Sequence, residues 1–226
     1  MNAFILISFA FIGLSNAEFC FNDVHTLCAS KGIDSEMFNC NANFSGVEQV
    51  KTDLQQYVKQ HLSQSFQYLL MSTNFGDYEK NRLGFSKLYR KLSDSTWDDA
   101  IDLIKYITKR GGTMQFDVEA PPEPNRALTN NTNMNMHELE SLSRALDMYK
   151  SLAEKAHHIH SEVTRRKVTY HDAETLSYLE NKFVHKHADT IRDLAGYTND
   201  LGSMLKDTAD SSLSVYLFDE YLQKTV

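Results

Sequence analysis

The sequence predicts an all-α fold: four long helices in a bundle, a long connection between the second and third, and a short fifth helix at the C-terminus. Three observations predict it. Apolar residues recur at three- and four-residue spacing through four long segments. Gly and Pro, which punctuate turn-rich β folds, number only 9 and 3 in 226 residues, while apolar residues make up 42%. The polar, proline-bearing stretch from Thr113 to Met136 interrupts the helical patterns once, midway. A loop of that length inside a compact domain fits a bundle with one long crossover.

Two segments precede the bundle. Residues 1–17 are almost wholly apolar from Phe4 to Leu14 and close on Ser15-Asn16-Ala17. A short apolar run ending in small residues reads as a signal peptide cut after Ala17. Residues 18–45 carry all three cysteines, Cys20, Cys28 and Cys40. In an oxidising lumen these read as disulfides, and their odd number leaves one thiol for a bond to another chain. Their spacing matches no common zinc pattern. Two glycosylation sequons begin at Asn43 and Asn130 and fit export.

The bundle then occupies residues 46–226. Its first helix is expected to open at Ser45-Gly46-Val47-Glu48 with a capping box; its stripe is Val47, Val50, Leu54, Val58, Leu62, Ser65 and Leu69, and it breaks at Asn74-Phe75-Gly76-Asp77. The second runs from about Asn81 to Arg110 and stops at Gly111-Gly112. Asn135 with Glu138 is expected to cap the third, whose stripe runs from Leu139 to Ile159 and fades at Arg165-Arg166-Lys167. Asp172 opens the fourth, with Leu176, Leu179, Phe183, His187, Ile191 and Leu194 inward. A turn near Asp207 to Ser212 precedes the last helix, Leu213 to Leu222. The second helix has a further apolar stripe, Trp97, Ile101 and Ile104, which a lone bundle does not need and a neighbouring subunit would cover.

Charge narrows the function. A formal charge of −7 and a pI near 5.7 exclude nucleic acid as the expected partner, and after residue 17 no apolar run approaches the roughly 20 residues of a membrane span.

Several segments resemble the ferritin family. Tyr68-Leu69-Leu70-Met71 looks like the family's Tyr-Leu-x-Met run in the first helix. Lys109-Arg110-Gly111-Gly112 resembles the end of its second, and Tyr216-Leu217-Phe218-Asp219 the signature of its fifth. The cysteine-bearing extension, Asn81-Arg82-x-Gly84-Phe85-Ser86-Lys87-Leu88 and the ending Phe218 to Val226 are similar, more narrowly, to the secreted light-chain homologues of insects. The resemblance implies a ferritin-like four-helix bundle, and a hollow shell of twenty-four subunits that takes up Fe(II) and stores it as ferric mineral. It also implies a heavy-type partner subunit, disulfide-linked to this chain, that carries the ferroxidase centre.

Carried over by position, that centre is degenerate here. His61 stands at the first-helix glutamate, Tyr68 keeps the neighbouring tyrosine, and Thr96-x-x-Asp99 replaces Glu-x-x-His. Tyr149 and His187 replace the third-helix glutamate and the fourth-helix glutamine. One carboxylate and two imidazoles remain where a di-iron oxidase uses mainly carboxylates, so these residues are expected to form a hydrogen-bonded polar cluster. Asp94, Asp98 and Asp102 make an acidic row at four-residue spacing. The resemblance places Asp94 and Asp98 at mineral-nucleating positions, while Lys91 and Ser95 stand where the family has acids. Glu180 matches a channel-lining acid whose companion is here Ser177. Glu154-Lys155-Ala156-His157 has the letters of Glu-x-x-His but lies off the stripe, and His157, His158 and His160 are read as surface residues. The expectation is a non-catalytic, iron-storing subunit of a secreted shell. The competing readings are a self-sufficient ferroxidase built on His61, Asp99 and His187, and a secreted helical signalling ligand.

Overall fold

The computed structural model describes residues 20–30, 37, 39–116, 136–165, 171–207 and 211–226. The expected signal peptide, the three prolines, the Asn130 sequon and Asn135 lie outside the described residues. The chain divides into two compact units, 1–42 and 43–226.

In the first unit, Cys20–Ser30 forms helix α1, an element the sequence did not suggest. Asp23 in its first turn accepts from the Asn39 backbone N–H at 2.8 Å and from the Asn39 side-chain amide at 3.1 Å. Cys20 and Cys40 are joined by a disulfide, and Cys28 is free and exposed. The helix and the returning strand of chain are therefore held covalently at one end and by the Asp23 carboxylate one turn on.

The second unit is the bundle: α2 (Val47–Phe75), α3 (Leu83–Lys109), α4 (Glu138–Val163), α5 (Ala173–Leu179), a π-helical turn (Glu180–Val184), α6 (His185–Asp207) and α7 (Ser211–Thr225). The backbone stays helical on both sides of the π turn, so α5 to α6 serve as one long helix. A short turn joins α2 to α3, which forces an antiparallel pair. Contacts between α2 and α4 pair Asp53 with Lys155, Gln60 with Ser151 and Tyr68 with Ala145. Rising numbers on one helix meet falling numbers on the other, so α4 is antiparallel to α2 and parallel to α3. Two consecutive parallel helices require a connection that returns the chain to the opposite end of the bundle.

Two expected caps are corrected. Gly46, not Ser45, is the N-cap of α2, and no side chain caps it. Ser45 takes a left-handed φ of 60° and its hydroxyl donates to the His171 carbonyl at 2.6 Å, tying the start of α2 to the start of α5; Glu48 pairs with Lys51 instead. At α4 the N-cap is His137 without a side-chain bond, and Glu138 pairs with Arg82 across the bundle. Asp172 does cap α5, accepting from the Thr175 N–H at 2.7 Å.

The last helix is longer than expected and half of it is buried within its own chain. Ser214, Phe218, Asp219 and Leu222 face inward while Leu213, Tyr216, Leu217 and Tyr221 are exposed. Its seat is made by Gly84, where a Cβ would lie 2.1 Å from the Asp219 carbonyl oxygen. That approach lets the Asp219 carboxylate accept from the Phe85 N–H at 3.0 Å, capping α3 from 134 residues away. Trp97 is 51% exposed, whereas Ile104 packs partly into the chain's own core.

Candidate metal centre at the bundle waist

The core is two apolar clusters separated by a polar belt. One holds Tyr68 to Phe75, Phe85 to Leu92, Leu194 and Leu201 with α7. The other holds Val50 to Val58, Ala100 to Ile107, Leu152 to Val163, Leu179 and Phe183. Between them lie His61, Gln64 and Ser65 on α2, Ser93, Thr96 and Asp99 on α3, and His187 on α6, all buried. Three of the long helices, α2, α3 and α6, place polar residues inward at this level, and α4 adds Tyr149. Buried polar groups are costly unless bonded, so the belt is informative.

Most of it is bonded. Thr96 donates back to the Leu92 carbonyl at 2.7 Å, Ser93 to the Ser65 carbonyl at 2.8 Å, and Tyr68 to the Ala145 carbonyl at 3.1 Å. Tyr149, with 1% of its surface exposed, closes the belt against His187, ring centroids 5.7 Å apart. Burial raises its phenol, so it stays protonated. The lone carboxylate, Asp99, receives both of its contacts from the Lys186 ammonium, at 2.6 and 2.7 Å. Burial pushes the Asp99 carboxyl up, and the Lys186 bonds offset that only in part.

The two imidazoles are different. Tyr57 holds both: its carbonyl accepts from His61 Nδ1 at 2.9 Å, and its hydroxyl meets His187 Nε2 at 2.7 Å. Phe183 packs on both rings. Burial lowers His61 to about 3, opposed by the Tyr57 carbonyl and assisted by His187 and Lys186. Burial and the Lys186 charge lower His187 to about 4. Both rings are neutral at physiological pH. His61 Nε2 and His187 Nδ1 are buried and have no hydrogen-bond partner among the described residues.

The sequence brought His61, Thr96, Asp99, Tyr149 and His187 to one place, and they share one belt. It missed Tyr57 and Lys186. Tyr57 was legible, four residues before His61 on the same face; Lys186 was not, because a lysine beside a stripe ordinarily points to water. Among the described residues no three His, Cys, Asp or Glu side chains gather closely enough to hold one metal ion.

The other singled-out residues lie apart from the belt. Asp94 is exposed and pairs with Arg90 at 3.0 Å. Asp102 contacts Lys182 at 3.5 Å and Lys105 at 3.9 Å. Asp98 is exposed with no ion pair among the described residues. Asp94 and Asp98 line an open groove that also collects Lys87, Arg90, Lys91 and Lys186, so the acidic row is largely countered by cations of its own chain. The Glu180 carboxylate accepts from His160 Nε2 at 3.0 Å. His160 is thus half-buried and paired, a correction to its reading as a plain surface residue. His157, His158 and Glu154 are exposed. Asn43 is exposed as well.

Among the described residues no helix is long and apolar enough to cross a membrane. Comparison with known proteins gives a consistent result. The ferritin-like domain profile matches residues 51–204. The chain is 44% identical over 222 residues to the ferritin light chain of Trichoplusia ni, covering 96% of this chain and 95% of that one. It is 42% identical over 207 residues to the ferritin light chain of Drosophila melanogaster, covering 92% and 90%. The crystal structure of Trichoplusia ni secreted ferritin superposes with a TM-score of 0.84 at 45% identity, over 92% of this chain and all of that one. Architecture, helix order and sequence agree, and the chain belongs to the ferritin family.

Proposed function

We propose that this chain is a light-type, non-catalytic subunit of a secreted iron-storage shell, co-assembled with a heavy-type chain that oxidises Fe(II). One observation carries the reading: the belt where a di-iron centre would be built offers a single carboxylate, Asp99, and that carboxylate is already neutralised by Lys186. Two divalent cations need several anionic oxygens to offset their charge in a buried site. A lysine salt bridge, two neutral imidazoles and two protonated phenols supply too few. The light-chain relatives support the same reading.

Iron is cargo, entering as Fe(II) and held as Fe(III) mineral. Asp98 is the row's one acid with no ion pair among the described residues, which makes it the strongest candidate for mineral contact; Asp94 and Asp102 contribute less. Glu180 with His160 is the candidate cation-channel pair. Residues 1–17 serve as a signal peptide, 18–45 as the cysteine-bearing extension and 46–226 as the shell-forming bundle. The name of the structural relative, a secreted ferritin, supports export. Cys28, free and exposed, is the thiol left to bond the heavy-type chain. Asn43 is an exposed glycosylation candidate.

Native mass spectrometry of the secreted material, with and without reductant, tests the assembly. The expected species is a twenty-four-subunit particle containing two chain types. A particle of this chain alone, or a free monomer, would refute the co-assembly or favour a signalling bundle.

A further inference from the structure

We propose that His61 and His187 form a two-coordinate site for a monovalent d10 cation, Cu(I) by preference, inside the closed waist of the bundle. This goes beyond the iron-storage reading and does not depend on it.

Tyr57 orients both rings. Its carbonyl accepts a hydrogen bond only from a protonated nitrogen, so His61 carries its proton on Nδ1 and presents a bare lone pair at Nε2. Its hydroxyl can donate to His187 Nε2 or accept from it, so His187 is free to present a lone pair at Nδ1. One residue therefore orients both rings through their far nitrogens, the arrangement by which outer hydrogen bonds fix metal-binding imidazoles. The two nitrogens left over are both buried and unpartnered among the described residues, as is Gln64 Oε1 of the same belt. An unsatisfied buried polar atom calls for a ligand or a specific reason, and here there are two in adjacent rings.

The spacing suits a bridging ion. The ring centroids lie 6.0 Å apart with planes 29° from parallel. Two metal–imidazole bonds of ~2.0 Å, with the ring radii added, place bridged centroids about 6 Å apart. The surroundings choose the ion. Tyr57 and His61 are fully buried and Phe183 covers the pair, so a divalent ion would carry uncompensated charge into a desolvated setting. The nearby Asp99 is bound by Lys186 and supplies no ligand. A singly charged soft ion satisfied by two neutral nitrogens has the smallest desolvation cost, and imidazole suits copper. The π-helical turn Glu180–Val184 directly precedes this stretch of α6. Such turns are common beside functional sites, and this one keeps Phe183 and His187 both inward.

The test uses the purified full chain carrying Cys28→Ser, which removes the free thiol. Under anaerobic conditions, Cu(I) is offered as its bicinchoninate complex. The expected result is about one Cu(I) withdrawn per chain, lost in both His61→Leu and His187→Leu, with helicity and assembly unchanged. X-ray absorption should show two nitrogen neighbours and no sulfur. Tyr57→Phe, which keeps the ring packing, should weaken binding by about 10–100-fold. Equal uptake in the histidine variants, a sulfur shell from methionine, or unchanged affinity in Tyr57→Phe would overturn the assignment. So would crystals soaked in Ag(I) that show a bridging water only, without anomalous signal, at the imidazole pair.

Discussion

Arg110 holds the far end of the bundle together, and replacing it with alanine should loosen that end alone. Its side chain is 2% exposed and donates to both oxygens of Asp172, itself fully buried, at 2.7 and 3.1 Å. The same guanidinium reaches Glu174 at 2.7 Å and the Phe44 carbonyl at 2.9 Å, and it lies 4.0 Å from the Phe44 ring centroid. Arg110→Ala leaves the Asp172 carboxylate buried with the Thr175 amide and hydroxyl but no cation, and losing one partner of a buried pair costs ~3–5 kcal/mol. In the assembled protein that energy is read as local opening. Hydrogen exchange in the end of α3 and the start of α5 should accelerate by roughly 10²–10⁴-fold, while the waist keeps its protection.

The effect should also depend on pH, with a determined sign. Burial raises the Asp172 and Glu174 carboxyls, but bonds from Arg110, with Thr175 for the first and Tyr106 for the second, outweigh it and hold both below their ordinary values of 3.8 and 4.5. Groups with depressed folded values stabilise the fold above the unfolded pKa and cease to as pH falls through the folded one. The gap between parent and variant is therefore full at pH 7 and narrows below about pH 4. Acceleration under tenfold, or a gap that widens in acid, would refute the reasoning.

Three further outcomes follow from the same structure. Cys28→Ser should abolish the mixed-chain band on non-reducing electrophoresis of secreted material, because Cys20 and Cys40 are consumed by each other; a surviving band would assign the interchain bond elsewhere. Asp98→Asn should slow core growth in shells with a competent partner, with a stability change within about 0.5 kcal/mol; adding Asp94→Asn should slow it little more, since Arg90 already neutralises Asp94. Unchanged mineralisation would reduce the row to a solvated face. Gly84→Ala should cost about 1–3 kcal/mol and free α7 to limited proteolysis, because its new methyl would meet the Asp219 carbonyl; an uncleaved C-terminus would show that α3 and α7 yield without separating.

The sequence made the bundle legible because burial is periodic and each long helix repeats its signal many times. Val50, Leu54 and Val58, or Leu142, Ala145 and Leu152, are each weak alone and decisive together. The caps were misread where tertiary bonds outcompeted local ones: Ser45 found His171, and Glu138 found Arg82. The pairing of Gly84 with Asp219 was invisible for the same reason, although both motifs stood out in the sequence. At the waist, His61, Thr96, Asp99, Tyr149 and His187 could be placed together by spacing. Lys186 could not, because nothing local distinguishes a lysine that reaches Asp99 from one that reaches water. Nor does spacing reveal that Tyr57 orients two imidazoles with its two oxygens.

Under the proposed function this waist does not oxidise iron, and stopped-flow spectroscopy of the purified chain with Fe(II) and dioxygen tests that most directly. Oxidation is expected to be no faster than in buffer of matched carboxylate content, without saturation, and unchanged by His61→Ala or Asp99→Ala. Saturable oxidation that either substitution abolishes would contradict it and make the chain a ferroxidase in its own right.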